Sequence, residues 1–157
     1  DEVKVKWPND VYIRQEKVAG ILLQNSLAGQ RIQWSVVGIG LNVNHTRKDF
    51  PVEIREKAAS LRELCHRRVD RGELLLTLTE RFGVWYRRFR AGGMDALIPE
   101  WRRRSTIMGR AVRVETAGET YVGTAMGLDP SGALRIRLES GVEELLHAGD
   151  VQLVQYR

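Results

Sequence analysis

The spacing of apolar residues changes twice along this chain of 157 residues, and the two changes divide it into three segments. Residues 1–44 alternate as strands do, for example where Val3 and Val5 are separated by lysine. Residues 51–104 show helical spacing, and residues from 108 to 157 return to short strands separated by turn residues. This order of segments predicts an α+β fold.

The first segment predicts a mixed or antiparallel sheet. Short alternating stretches are followed by two long apolar runs, Val18–Leu23 and Ile32–Val43, with a polar turn around residues 26–30. Three strands joined by short connections are expected to form an antiparallel meander. The strand near Asp1 begins without a lead-in, so we expect further sequence upstream.

The second segment predicts one long amphipathic helix. Asp70 and Glu73 have the spacing of a capping box at its start, and Gly92–Gly93 suits its end. Five apolar residues between them fall at steps of three or four and share one helix face: Leu74, Leu78, Phe82, Trp85 and Phe89. A shorter helix with the same pattern follows over residues 94–101. We expect the shared apolar face to be core and to carry no chemistry.

The third segment predicts a small barrel. Residues suited to tight turns occur at 117–118, 129–132 and 140–141, with short apolar stretches before, between and after them. Five short strands in about 50 residues are typical of an SH3-like barrel. The predicted domains are therefore residues 1–107 and residues 108–157.

Composition narrows the classes of function. Hydrophobic residues make up 43% of the chain and charged residues 29%, which is typical of a globular protein. No apolar run reaches the roughly 18 residues that cross a bilayer, and the single cysteine excludes an intramolecular disulfide. We therefore predict a cytoplasmic protein with no membrane partner. The net charge of +5 permits an anionic ligand, but the arginines near residues 87–90 and 102–104 are interpreted as a solvated helix face.

One motif in the first segment offers an ammonium and a carboxylate. Residues 6–10 read KWPND, and residues 17–22 read KVAGIL. A hairpin between these strands could bring Lys17 back across from Asn9 or Asp10, within reach of one ligand. A fixed cation and a carboxylate suit an anionic leaving group and a divalent metal.

A second motif, VGIGLNVN at residues 37–44, places two glycines inside a strand. Gly38 and Gly40 could mark a bulge, a packing contact or the close approach of a ligand, and the residues alone leave these alternatives open. The spacing matches neither a dinucleotide-binding fingerprint nor a phosphate loop. Asn42 offers a donor and an acceptor that could read a polar edge of a ligand.

In their residues, order and spacing these motifs resemble the biotin–protein ligase family. Residues 58–61 and 127–134 resemble it as well. The resemblance covers essentially the whole chain. It implies a catalytic fold akin to lipoate ligases and class II aminoacyl-tRNA synthetases, followed by the SH3-like barrel. It also implies that biotin is joined to AMP with MgATP and then passed to one lysine of an acceptor domain.

The resemblance assigns roles to individual residues. Lys17 would contact the biotin carboxylate and the α-phosphate, and Asp10 would contribute to activation of the acceptor lysine. Asn42 would contact the adenine. The remaining implied residues line the phosphate end or let the backbone approach the ligand: Lys6, Asn9, Gly20, Gly38 and Gly40.

The chain also departs from the family pattern. The Gly/Arg-rich loop that closes over biotinyl-AMP is absent from this sequence, and the resemblance places it, with the biotin-contacting segment, upstream of Asp1. We therefore expect the chain alone to be inactive. No structural metal site is expected, because His45, His66 and His147 lack ligand spacing, so Mg²⁺ would arrive with ATP.

The expected partners are biotin, ATP and the biotin carboxyl-carrier domain of a carboxylase. A homodimer could form through an unpaired sheet edge. DNA binding would require a repressor domain upstream. Two alternatives are kept: a lipoate-type ligase, and a folded fragment that serves only as an assembly module.

Overall fold

A computed structural model shows the fold and describes residues 2–29 and 31–154. In these ranges the strands are β1 Val3–Lys6, β2 Asp10–Ile13, β3 Glu16–Ala28, β4 Arg31–Leu41, β5 Ala111–Glu115, β6 Thr120–Leu128, β7 Leu134–Leu138, β8 Glu143–Leu146 and β9 Asp150–Leu153. The α-helices are α1 Leu61–Cys65, α2 Arg71–Gly92 and α3 Ile98–Arg104. The predicted α+β class is confirmed.

The chain forms two compact units. The first holds Asp1–Val3 and Asn9–Arg71, and the second holds Lys4–Pro8 and Gly72–Arg157. This division differs from the predicted domains, because α2, α3 and residues 4–8 cluster with the C-terminal strands rather than with the sheet.

In the first unit β2, β3 and β4 form the predicted antiparallel meander. The turn between β2 and β3 holds Arg14 and Gln15 at positive φ, which is the conformation of a tight two-residue hairpin turn. The register pairs Asp10 with Gly20 and Gly20 with Gly40, so these three residues form a row across the sheet. Gln30, in the predicted turn between β3 and β4, lies outside the described residues.

The hairpin of β3 and β4 is apolar on both faces. Directly opposed residues share a face, such as Ile21 with Ile39 and Leu23 with Val37. Val18 at the start of β3 is buried, but most of the large apolar side chains of this hairpin are exposed: Ile21, Leu22, Leu23, Leu27, Ile32, Trp34, Val36, Val37 and Ile39. Strands that are apolar on both faces are typical of a sheet that is covered on both sides. The exposed faces of this hairpin therefore have the composition of buried strands.

Residues 51–104 are less helical than their apolar spacing predicts. Residues 51–57 form turns, and α1 is only five residues long. The physical reason lies in the hydrogen bonds of Lys57 and Ala59, whose backbone groups pair with Lys17 of β3 instead of with a helix.

In the second unit five strands form an antiparallel sheet in the order β8-β7-β6-β5-β9, and the predicted SH3-like character of this part is confirmed. Its core contains these buried residues: Trp7, Ile107, Val112, Val114, Ala125, Leu134, Ile136, Leu146 and Val151. Trp7 is only 4% exposed, and its indole N–H donates to the carbonyl of Gly132 at 3.3 Å. Trp7 is thus part of this core although it lies 100 residues or more before the other members of the cluster.

Helix α2 begins and ends where the capping residues predict, but its apolar face is not buried. No described residue of α2 is buried, and Phe82 and Phe89 are 48% and 41% exposed. The expectation that this face is core is therefore not met by the packing of the described residues. No helix among those residues is long and apolar enough to span a membrane.

Candidate functional site

An open cavity of about 420 Å³ lies in the first unit, beside the row of paired residues on β2, β3 and β4. Its lining residues are Asp10, Tyr12, Lys17, Ala19, Gly20, Gly40, Asn42, Phe50, Ile54, Lys57 and Ala58. Five of the eight residues that the sequence nominated are among them. The meander brings these five together because its tight turn and register align the ends of three strands.

Lys17 and Asp10 form an ion pair in this cavity. The Lys17 Nζ lies 2.5 Å from the Asp10 Oδ1, with the lysine side chain 43% and the aspartate 19% exposed. The hairpin between β2 and β3 therefore makes the contact that the motif spacing predicted. A half-exposed ammonium of this kind remains available to an anionic ligand.

Gly20 and Gly40 line the cavity beside this ion pair. A Cβ placed on Gly20 would lie 3.6 Å from the Lys17 Nζ and 3.7 Å from the Asp10 Oδ1. A Cβ on Gly40 would lie 3.7 Å from the Gly20 carbonyl oxygen. These are ordinary contact distances, so the absence of side chains opens space for a ligand rather than relieving a clash.

Backbone hydrogen bonds hold the strand end that carries Lys17. The Lys17 N–H donates to the Lys57 carbonyl at 2.8 Å, and the Ala59 N–H donates to the Lys17 carbonyl at 3.0 Å. On the other side the Asn42 N–H donates to the Val18 carbonyl at 2.9 Å. The Asn42 side-chain amide also donates to the Ala59 carbonyl at 3.1 Å. Asn42 therefore ties the strand end together, and its predicted contact with adenine stays a prediction.

Three nominated residues do not line the cavity. Asn9 instead holds Ile21, since its side-chain amide donates to the Ile21 carbonyl at 2.7 Å and its carbonyl accepts the Ile21 N–H at 2.9 Å. Lys6 belongs to the second unit, where its Nζ lies 3.5 Å from the Asp150 Oδ1. Gly38 pairs with Leu22 farther along the hairpin.

Sequence reasoning missed one side of the cavity, which we call the wall segment (residues 50–58). Phe50 of this segment is 6% exposed, and its ring centroid lies 5.6 Å from that of His45. Phe50 and Ile54 are four residues apart, and this helical spacing is the signal in the sequence that could have pointed to them. Lys57 also lines the cavity, so the lining residues include two lysines and one aspartate, and this balance of charge favours an anionic ligand.

Arg47, which belongs to neither of the two sequence motifs, forms several hydrogen bonds beside the cavity. Its guanidinium donates to the carbonyls of Arg55 at 2.7 Å and Ala58 at 2.6 Å, and it also bonds the Glu16 carboxylate. The hydrogen bond with Glu16 raises the pKa of Arg47 above its ordinary value. Among the described residues no cluster of His, Cys, Asp or Glu could hold a metal ion.

Two family models match the chain. The model of the biotin/lipoate A/B protein ligase family matches residues 1–42, and that of the biotin protein ligase C terminal domain matches residues 107–154. The first match includes Asp10, Lys17 and Gly20 of the cavity. The second coincides with the five-stranded sheet.

Curated relatives cover nearly the whole chain. A biotin–[acetyl-CoA-carboxylase] ligase from Mycobacterium tuberculosis is 34% identical over 96% of this chain and 53% of its own length. The corresponding ligase of Paracoccus denitrificans is 32% identical over 94% of this chain and 61% of its own. The bifunctional ligase/repressor BirA of Bacillus subtilis is 29% identical over 97% and 46%, respectively. The chain spans about half the length of the curated relatives it matches.

Solved structures agree with these matches. The apo biotin protein ligase from Aquifex aeolicus superposes with a TM-score of 0.83 at 27% identity, over 97% of this chain and 66% of that one. The same ligase in complex with biotin and ATP superposes with a TM-score of 0.77 at 28% identity, over 98% and 62%.

Proposed function

Since this chain belongs to the biotin protein ligase family, we propose that it takes part in the ATP-dependent attachment of biotin to a lysine of an acceptor protein. The observation that carries the proposal is the Lys17–Asp10 ion pair over Gly20, in the cavity of the first unit. The pair lies within the segment that the ligase family model matches.

In the first step we propose that a carboxylate oxygen of biotin attacks the α-phosphorus of ATP. The new P–O bond gives biotinyl-AMP, and the bond to the β-phosphate breaks to release pyrophosphate. Both reactants are anions, so a fixed cation such as the Lys17 ammonium lowers the barrier by several kcal/mol in a site shielded from water. Lys57 supplies a second positive charge at the same cavity.

In the second step the amine of the acceptor lysine attacks the carbonyl of biotinyl-AMP. An amide bond forms, AMP leaves, and the amine loses a proton. Asp10 lines the cavity with its carboxylate 19% exposed, so it can accept that proton or orient the amine. The ion pair with Lys17 would open when the phosphate takes the place of the carboxylate beside the ammonium.

Mg²⁺ would neutralise phosphate charge on the bound ATP. The described residues offer no ligand cluster for a protein-held ion, so we propose that the metal is held by the nucleotide itself. The acceptor we propose is the biotin carboxyl-carrier domain of a carboxylase, because two relatives are named as ligases that act on acetyl-CoA carboxylase.

The exposed hairpin sets a condition on this activity. Its two apolar faces need cover, and the relatives contain about as much sequence again as this chain matches. We propose that a polypeptide equivalent to the unmatched part of the relatives covers the hairpin and supplies the remaining biotin contacts. The alternative is that a second copy of the chain covers the hairpin by pairing along the edge of β4. Size-exclusion chromatography of the purified chain distinguishes the two, because a clean monomer excludes this self-association.

The test is transfer of labelled biotin to a carrier domain, with and without ATP. The chain is assayed alone and with the separately expressed unmatched part of the M. tuberculosis relative. We expect no transfer by the chain alone and ATP-dependent transfer by the mixture. Lys17→Ala should abolish transfer, and Lys48→Ala is the control, because this exposed lysine lies outside the cavity.

Labelled lipoate competes in the same assay. Preferential transfer of lipoate would replace the biotin proposal with the lipoate-type alternative. A mixture that folds but transfers neither group would leave the assembly-module interpretation in its place.

A further inference from the structure

We infer that Arg47 is a positioning residue, which holds the wall segment against the strand end that carries Lys17. The inference deepens the proposed function, on which it rests insofar as the cavity is taken to bind ATP. Arg47 itself does not line the cavity. It acts through the residues that do.

Arg47 forms hydrogen bonds to two separate parts of the first unit. One terminal nitrogen, Nη1, donates to the carbonyls of Arg55 and Ala58 in the wall segment. The other, Nη2, bonds the carboxylate of Glu16, the residue directly before Lys17 on β3. The planar guanidinium is suited to this work because it presents several donors in a fixed fork.

The wall segment is closed on itself by local hydrogen bonds. The Arg55 guanidinium donates to the Phe50 carbonyl at 3.1 and 3.3 Å, and the N–H groups of Lys57 and Ala58 both donate to the Ile54 carbonyl at 2.9 Å. The segment can therefore move as one piece.

Few hydrogen bonds attach this piece to β3. The Lys17 N–H donates to the Lys57 carbonyl, and the next residue after the segment, Ala59, donates its N–H to the Lys17 carbonyl. The contact of Glu16 with Arg47, which in turn bonds the Arg55 and Ala58 carbonyls, adds a side-chain link. Arg47 thus supplies the side-chain part of the attachment. Loss of its guanidinium would loosen this attachment, with the backbone hydrogen bonds left in place, and would remove no group from the cavity.

The charges around Arg47 support the same interpretation. Glu16, Glu63 and Glu56 all raise its pKa, the hydrogen bond with Glu16 most of all. The Arg47 Nε lies 3.9 Å from the Glu63 Oε1 of α1. The cation is therefore stabilised by carboxylates on β3, on the wall segment and on α1, the elements that it holds together.

The first measurement is amide hydrogen exchange of the chain and of three variants. In Arg47→Ala we expect the amides of Lys57 and Ala58 to exchange about tenfold faster, because local opening becomes easier. The amides of Val112 and Ile136 in the second unit should not change. Lys48→Ala is the matched control, since it removes one positive charge from the same turn, and Arg47→Lys should give an intermediate rate.

The second measurement is the Kd for ATP, determined on folded protein by equilibrium dialysis. A cavity wall displaced by about 1 Å can weaken productive binding strongly, so we expect about a tenfold rise in Kd for Arg47→Ala. Arg47→Lys should bind ATP with an intermediate Kd, and Lys48→Ala should bind ATP with the wild-type Kd. A purely structural arginine would leave the Kd of the folded fraction unchanged.

An unchanged Kd for ATP in folded Arg47→Ala, where the wild-type chain binds ATP, would overturn the inference. So would either of two exchange results. One is an exchange rate at Lys57 and Ala58 that does not respond to Arg47→Ala, and the other is a uniform acceleration that includes the second unit. If the wild-type chain fails to bind ATP, the ATP part of the proposed function fails. The exchange comparison still decides the role of Arg47.

Discussion

The two sheets of this molecule differ in how far their apolar side chains are buried. In the second unit Val112, Leu134 and Ile136 are 0% exposed, and the five strands enclose a core of their own. In the first unit the β3–β4 hairpin leaves Leu22 72% and Trp34 52% exposed. The C-terminal sheet satisfies its hydrophobic surface within the chain, whereas the sheet that carries the candidate site does not.

This difference has a functional meaning. A cavity whose supporting sheet lacks cover is exposed to water, and electrostatic stabilisation by Lys17 is weaker there than in a dry site. Lys17 and Asp10, which we propose for the chemistry, already lie together. The low dielectric constant that would strengthen their electrostatic interactions with a substrate requires that water be excluded from the site. Four comparisons between the two units test this interpretation, from the largest expected effect to the smallest.

The largest contrast is expected from truncating one leucine in each sheet. Leu134→Ala should lower the free energy of unfolding of the second unit by about 3–4 kcal/mol, because it leaves a cavity in a closed core. Leu22→Ala should change the stability of the first unit by less than about 0.5 kcal/mol, since the side chain is largely in water already. Urea unfolding followed through resolved amide resonances of each unit measures both. Equal losses would contradict the comparison.

The next contrast uses one glycine from each sheet. A Cβ on Gly123 would lie 2.4 Å from the Arg137 carbonyl oxygen, whereas one on Gly38 would lie 3.6 Å from the Leu22 carbonyl oxygen. Gly123→Ala should therefore cost the second unit about 3 kcal/mol, because backbone must shift to make room. Gly38→Ala should stay within about 1 kcal/mol of wild type. Thermal unfolding of the two variants measures both losses of stability. If Gly123→Ala leaves the stability of the second unit unchanged, the strands around Gly123 can separate easily, which contradicts the expectation.

Two tryptophans allow a smaller and closely matched test. Trp7→Phe removes both buried surface and the hydrogen bond to Gly132, so we expect a loss of about 1–2 kcal/mol. Trp34→Phe changes a half-exposed side chain, and its effect should be within about 0.5 kcal/mol. Both variants are measured by chemical denaturation under the same conditions. A costly Trp34→Phe would mean that the hairpin is covered in solution, for example by a second copy of the chain.

The smallest effects, and the only ones expected to agree between the units, concern two turn carboxylates. Hydrogen bonds from Ser131, then from the Ala133 and Ser131 N–H groups, lower the pKa of Asp129 in the second unit. Bonds from the Thr46 N–H and hydroxyl lower the pKa of Asp49 in the first.

A carboxyl group whose pKa is lower in the folded state stabilises the protein fully above its unfolded pKa, which is about 3.9. That stabilisation is lost as the pH falls through the folded pKa. We therefore expect both carboxyls to titrate below the ordinary value in NMR, and Asp129→Asn and Asp49→Asn to flatten the acid side of the stability profile. Titration of either group at its ordinary value would show that its turn is not formed.

Local patterns allowed much of this fold to be predicted. The alternation and turn residues located the strands of both sheets, and the capping residues located α2 within a residue or two. The contact between Lys17 and Asp10 was also foreseeable, because it depends on one short hairpin. These features are decided by residues close together in the sequence.

The wall segment and Arg47 were not foreseeable in the same way. Their positions depend on hydrogen bonds between the wall segment, β3 and the turn at Arg47, whose partners lie 8, 11 and 31 residues apart. The burial of the α2 face was predicted wrongly, since helical spacing shows that a face is apolar but not that something covers it.

The sequence by itself determined where the strands and the long helix α2 lie, which family the chain resembles and which hairpin joins Lys17 to Asp10. It could do so because these properties follow from local periodicity, turn chemistry and motif order. Only the tertiary structure decided that Trp7 packs into the core of the second unit, 125 residues from its partner Gly132. It also decided that Lys6 and Asn9 stay out of the cavity while Phe50 and Lys57 enter it. Such placements depend on which distant surfaces meet, and no local pattern encodes that meeting.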